Sequence, residues 1–152
     1  MNRRDAMLTT GSMFVSASLG ALACGGSPAI AQNAQLAPHS HHHGDPALFE
    51  AAQACLAKGQ ACLAHCIALL GAGDTSMAGC AQATHDMHAM MVGLAAAAST
   101  GSKHLAQVAR VAAEFCKDCE QECKKHADKH AACKECGEAC ARTAAACARV
   151  AG

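Results

Sequence analysis

Along four helix-length stretches the apolar positions recur three and four residues apart, the mark of one buried face per helix. The first stretch, about Pro46 to Leu70, repeats Cys55, Cys62 and Cys66, with Leu56, Leu63, Ile67 and Leu70 one step round as core flank. The second is capped by Asp74-Thr75-Ser76, runs to about Ala98 and reads Cys80, Thr84, Met87 and Met91. The third, about Ser102 to His126, passes from Leu105, Val108 and Ala112 to Cys116, Cys119 and Cys123. The fourth, about Asp128 to Val150, carries Cys133, Cys136, Cys140 and Cys147. Asp45-Pro46 offers a cap and a first-turn proline, and Gly71-Ala72-Gly73, Ser99 to Ser102 and Ala127-Asp128 break the periodicity. Short turns make consecutive helices antiparallel. The pattern therefore predicts an all-α, up-down-up-down four-helix bundle with a cysteine-lined core over residues 47–152.

The stripes are narrow. Cys55, Cys62 and Cys66 project within roughly 40° of one another, and the third and fourth groups each within roughly 60°. If the first cysteine of each segment sets its face, the other seven share that third of the helix with odds of about one in two thousand. Cysteine is also a small, commonly buried hydrophobe, but so much thiol is poor packing material for so small a core. Antiparallel helices sort the sulfurs by height. Cys66, Cys80, Cys123 and Cys133 fall at one end, where His65, Met77, His126 and His130 also gather. Cys62, Met87, Cys116, Cys119, Cys136 and Cys140 fall in the middle, and Cys55, Met91 and Cys147 towards the other end. His85 falls off the inner face and His88 at its edge.

Composition sharpens this. The 152 residues carry no net formal charge and only 16% charged side chains, which argues against a nucleic-acid partner. Trp and Tyr are absent and Phe14, Phe49 and Phe115 are the only aromatics, so alanine, cysteine and a few leucines must fill the core. Residues 1–31 read as a cleavable export signal: Arg3-Arg4 resembles a twin-arginine pair, and Ala29-Ile30-Ala31 makes an A-x-A site before Gln32. Asp5 and Ala6 depart from that signal's usual residues. Gly11, Ser12, Ser16, Ser18 and Gly20 interrupt the apolar stretch, so stable membrane insertion is not expected. Ala21-Leu22-Ala23-Cys24 offers an alternative, a lipoprotein box that would leave a lipidated Cys24. Residues 32–46 form a flexible leader whose His39, His41, His42 and His43 could collect metal weakly or merely space the domain. The mature chain is expected on the non-cytosolic side, in the periplasm or at internal membranes.

Many equivalent thiols leave few chemistries. Nucleophilic catalysis needs one activated thiolate with a base, so no enzyme is expected. Disulfides suit an exported protein, but cysteines three or four apart on one helix have poor geometry for them. Zinc wants four ligands per ion, and stacking negatively charged all-cysteine sites in a dry core is costly. Iron–sulfur clusters use loops. Cu(I) is soft, accepts thiolate and thioether, and tolerates low coordination numbers. Thiolates each bridging two Cu(I) ions give a neutral column at about one metal per cysteine, a capacity suited to storage. A copper chaperone or detoxifying sink would use the same ligands, and a disulfide- or zinc-stabilised structural domain is a weaker alternative. On the second helix Met87 and Met91 stand where other helices place cysteine, as thioether ligands or as core filler.

The stripes Cys55…Cys62-x-x-x-Cys66, Cys116-x-x-Cys-x-x-x-Cys123 and Cys133-x-x-Cys-x-x-x-Cys140…Cys147 resemble the bacterial copper storage proteins. Cys62-Leu63-Ala64-His65-Cys66 and Ser76-Met77-Ala78-Gly79-Cys80 add to the resemblance, which covers the chain from about Ala47 onward. With its export signal the chain is most similar to the exported branch described in methane-oxidising bacteria. That resemblance implies a four-helix bundle, assembled as a homotetramer, that holds multiple Cu(I) ions for a copper enzyme such as methane monooxygenase. It also implies copper entry at the end bearing His65 and Met77. Met91 departs from the family, which can have cysteine there.

Overall fold

The computed structural model of the chain describes residues 44–152. The expected export signal, Cys24 and the leader histidines His39, His41, His42 and His43 lie outside these residues. Asp45 Oδ1 accepts the Leu48 N–H at 2.8 Å, and Pro46 opens helix α1 (Pro46–Gly71), where its missing N–H costs nothing. The start of α1 is tied down as well, by a 2.9 Å hydrogen bond from the Asp45 N–H to the Ala98 carbonyl.

After α1, Asp74 Oδ1 accepts the Ser76 N–H at 3.1 Å and its hydroxyl at 2.6 Å. This sets a single 3-10 turn, Thr75–Met77, before helix α2 (Ala78–Thr100). Gly101 ends α2 with φ of +60°, a left-handed conformation that glycine adopts without strain. Helices α3 (Leu105–Lys124) and α4 (Ala131–Ala151) complete the chain.

Two helix starts differ from the sequence expectation. Ser102 belongs to the turn, because its carbonyl accepts the Leu105 N–H at 2.9 Å and its hydroxyl accepts the His104 N–H at 3.2 Å. Between α3 and α4 the chain closes on itself: the His126 N–H reaches the Cys123 carbonyl at 3.1 Å and the His130 N–H reaches the His126 carbonyl at 3.0 Å. The fourth helix therefore begins at Ala131 and not near Asp128.

Helix α1 packs on α2 and α4, and α3 packs on the same two. Among the described residues the diagonal pairs make no close backbone approach, so the helices stand at the corners of a square. Every inner seam keeps a strict 3-4 alternation. It runs Leu48, Ala52, Cys55, Gly59, Cys62, Cys66 on α1, and Cys80, Thr84, Met87, Met91, Leu94, Ala98 on α2 after Met77. On α3 it runs Ala109, Ala112, Cys116, Cys119, Cys123, and on α4 Cys133, Cys136, Cys140, Thr143, Cys147. Such a seven-residue repeat holds one face of each helix inward over its whole length.

The third seam corrects the expected one. Stepping back from Cys116 in 3-4 register reaches Ala112 and then Ala109, which are buried, while Leu105 and Val108 sit half-buried on the flank. Ile67 is likewise not core flank but 58% exposed, about 100° round the helix from buried Cys66.

Large apolar side chains are scarce inside, and the end of the bundle holding Leu48 and Leu94 is the conventionally packed one. Leu94 is fully buried there. Replacing it with alanine is expected to destabilise the copper-free protein by about 2–4 kcal/mol, since its alanine neighbours can fill little of the void. Denaturant unfolding of the reduced protein checks this; a loss below about 0.5 kcal/mol would show that this end contributes little to the fold.

Candidate metal centre

Helical periodicity alone aims the sulfurs inward, and the square packing brings four such faces together. Cys55, Cys62, Cys66, Cys80, Cys116, Cys119, Cys123, Cys133, Cys136, Cys140 and Cys147 are all fully buried free thiols. Cys62 Sγ stands 3.9 Å from Cys80 Sγ, 3.9 Å from Cys123 Sγ and 3.8 Å from Cys133 Sγ. Cys119 Sγ lies 3.8 Å from Cys136 Sγ, and Cys55 Sγ lies 3.7 Å from Cys140 Sγ. These are contacts between free sulfurs, far beyond a disulfide bond of about 2.0 Å. They do match a metal ion among three sulfurs: bonds of about 2.3 Å place trigonal sulfurs about 4.0 Å apart.

The sulfurs form four overlapping groups, each with its ligand atoms within 4.8 Å of one another. Cys62, Cys66, Cys80 and Cys133 make the first; Cys62, Cys123 and Cys136 the next; Cys119, Cys136 and Cys140 the third; Cys55, Cys116 and Cys140 the last. Each successive pair shares one cysteine: Cys62, then Cys136, then Cys140. This is a continuous chain of sulfur along the bundle axis, with shared residues where bridging ligands are needed.

Two heights differ from the sequence expectation. Cys62 reaches up to the Cys66, Cys80 and Cys133 end as well as serving the middle, and Cys55 joins Cys116 and Cys140 rather than lying beyond them. Cys147 joins none of the four groups. It lies two turns beyond Cys140 on α4, still close enough to Cys55 for a thiolate there to repel its own.

Protonation follows the same pattern. Cys55 is held down to about 4 because the thiols of Cys116 and Cys140 donate to it, outweighing burial. Donation from Cys123 and Cys136 pulls both Cys62 and Cys119 well below the ordinary thiol range. Cys123, whose proton is engaged by Cys119, is pushed far up. Burial first of all raises Cys66 and Cys133, and it takes Cys147 up to about 11. Each group therefore favours a thiolate clasped by protonated neighbours. Those hydrogen bonds steady the thiolate without cancelling its charge, which a metal cation would do on loading.

Other residues complete the interior. Met87 and Met91 are fully buried on the α2 seam, with Met87 Sδ 3.4 Å from Cys55 Sγ and Met91 Sδ 4.0 Å from Cys116 Sγ. Thr84 Oγ1 lies 3.6 Å from Cys119 Sγ and 3.9 Å from Cys62 Sγ. Thr143 donates instead to the carbonyls of Ala51 at 3.1 Å and Ala139 at 3.0 Å. At the Cys66 end, His65 Nε2 and His130 Nδ1 are 3.0 Å apart, the tilted ring of His126 lies with its centroid 6.4 Å from that of His130, and Met77 is fully buried. His85 is exposed and His88 half-buried, as their positions on the helix require. Sequence reasoning had no place for Gly59 or Thr143, although both sit in 3-4 register with the flanking cysteines.

The arrangement offers no isolated nucleophile with a base and orienting partner; it offers soft anionic donors in contact along an axis. Among curated proteins no match is found. The sequence profile described as "copper storage protein" matches residues 41–152, which takes in every helix described above. The chain therefore belongs to the copper storage protein family.

Proposed function

We propose that the chain is a non-enzymatic store that holds many Cu(I) ions at once on bridging thiolates. The observation that carries this reading is the run of four sulfur groups joined through shared Cys62, Cys136 and Cys140. A carrier of one ion needs one such group. Cu(I) suits the groups because it is soft, takes two or three sulfurs, and balances one thiolate per ion when every thiolate bridges. Cys55, Cys62, Cys66, Cys80, Cys116, Cys119, Cys123, Cys133, Cys136 and Cys140 are the proposed ligands, and Cys147 joins them when the column is loaded. His65, His126, His130 and Met77 are proposed to pass copper in at their end, a role supported by the close His65–His130 approach.

The wider setting is part of the same proposal. The Arg3-Arg4 pair and the Ala29-Ile30-Ala31 site support export through a twin-arginine signal to the periplasm, where the store would supply a copper enzyme such as methane monooxygenase. Lipidation at Cys24 is the alternative outcome of processing. Assembly as a homotetramer is supported by Ile67 and Val92, exposed at 58% and 55% on α1 and α2.

Titrating the reduced protein with Cu(I) is expected to raise thiolate-to-metal absorption up to about one metal per cysteine, with no Trp or Tyr to obscure it. Saturation at one or two ions per chain would instead favour a zinc or cofactor site. Replacing Cys62, Cys119 and Cys136 together with alanine should cut that capacity by about a third or more while leaving the helices intact. An unchanged capacity would mean that these sulfurs hold no metal.

Loading should also remove a pH dependence. Cys147 ionises near pH 9.0 when unfolded but at about 11 when folded, and burial raises Cys66 and Cys133 in the same direction. This contribution to stability is complete below pH 9 and is lost as the pH climbs towards 11, at about 1.4 kcal/mol per pH unit for each such thiol. Chemical denaturation of the copper-free protein should show that loss. The loaded protein, with its thiols already deprotonated and neutralised, should show little; equal slopes in both forms would contradict the charge-balance reading.

A further inference from the structure

We infer that the sulfur column ends in a mixed thiolate–thioether Cu(I) site, in which Met87 and Met91 join Cys55, Cys116 and Cys140. The inference rests on the storage reading and concerns one end of the same column. Cys55, Cys116 and Cys140 already lie within 4.8 Å of one another, and Cys140 links them to the rest of the chain of sulfurs. The two thioethers flank them: Met87 Sδ touches Cys55 Sγ at 3.4 Å, and Met91 Sδ stands 4.0 Å from Cys116 Sγ.

The space for Met87 is made on the opposite helix. A Cβ on Gly59 would come within 2.7 Å of Met87 Cε. Helix α1 thus omits a side chain in mid-helix, against its own propensity, at the point where the thioether arm of Met87 enters. The Thr143 hydroxyl at this height is already engaged with the Ala51 and Ala139 carbonyls.

Charge explains why thioethers belong at this end. Inside the column each thiolate is shared between two ions, so charge and coordination are satisfied together. Beyond the last group the column offers only Cys147, which belongs to none of the four sulfur groups, and there too lie Leu48, Leu94 and Ala98, fully or almost fully buried and apolar. A cysteine in place of Met87 or Met91 would complete the coordination but add a further negative charge in a dry environment. A neutral thioether completes it without adding charge. Copper held this way has fewer anionic donors, so this site fills last and is the first to yield its ion to a competing chelator.

Selenium absorption spectroscopy tests this on the full chain. Protein grown with selenomethionine and loaded with Cu(I) should show copper in the first shell of selenium, and Met87→Leu with Met91→Leu should remove most of that scattering, leaving at most the share of Met77 at the opposite end. Leucine is close to methionine in volume, and circular dichroism of the double variant should match the parent. The double variant should also lose about one or two coppers per chain to a chelator that leaves the parent loaded. A parent that takes up many coppers without selenium–copper scattering, or a double variant whose scattering is unchanged, would overturn the inference while leaving storage by cysteine intact. A parent that takes up no copper would overturn the storage reading and this inference with it.

Discussion

The structure depends on one electrostatic constraint: sulfur anions packed in contact inside a helical bundle must be neutralised where they stand. Water does not reach them, and the helices bring no lysine or arginine inward. Among the described residues of the copper-free chain no cation faces these sulfurs, so charge is kept down by protonation, and neighbouring thiols donate hydrogen bonds to Cys55, Cys62 and Cys119. Exchanging each thiol proton for a soft monovalent cation preserves the balance and the geometry. A divalent ion on four thiolates does not, because every such site leaves excess negative charge. The same constraint explains why copper binding should stabilise a fold whose own apolar core is small.

From this follows the division of labour between the two ends of the bundle. At the Cys66 end His65, His126 and His130 gather near the helix termini and Met77 is buried, the residues proposed to pass copper in. At the other end Leu48, Leu94, Ala98 and Ala109 close the bundle with ordinary packing, fixed by the Asp45–Ala98 hydrogen bond. Between them the small alanine and cysteine side chains let the helices approach closely enough for sulfurs of three or four helices to touch. The poverty in large side chains, a weakness for apolar packing, is what makes the sulfur contacts possible.

Much of this was legible in the sequence. The 3-4 spacing of Cys116, Cys119 and Cys123, and of Cys133, Cys136 and Cys140, determined both the helices and their inward faces. The turn residues Gly71, Gly73 and Gly101 placed the reversals to within a few residues. Periodicity has no resolution along the axis, however. It could not tell that Cys62 would bridge to the first group, that Cys55 would sit level with Cys116 and Cys140, or that Cys147 would stand apart, because these depend on how far each helix is shifted against its neighbours. It also misread the start of α3, where Leu105 and Val108 looked like the seam although the register from Cys116 leads to Ala109. Gly59 carried no signal as a metal-site residue, since an absent side chain matters only once Met87 is seen beside it.

The central claim is that the bundle exists to hold many monovalent copper ions. Elemental analysis of the protein isolated from its native source, with metal and sulfur measured on the same sample, tests it most directly. The account predicts copper as the dominant metal at several ions per chain, approaching one per core cysteine in copper-replete cells. One or two zinc ions per chain with little copper, in cells supplied with both metals, would contradict it.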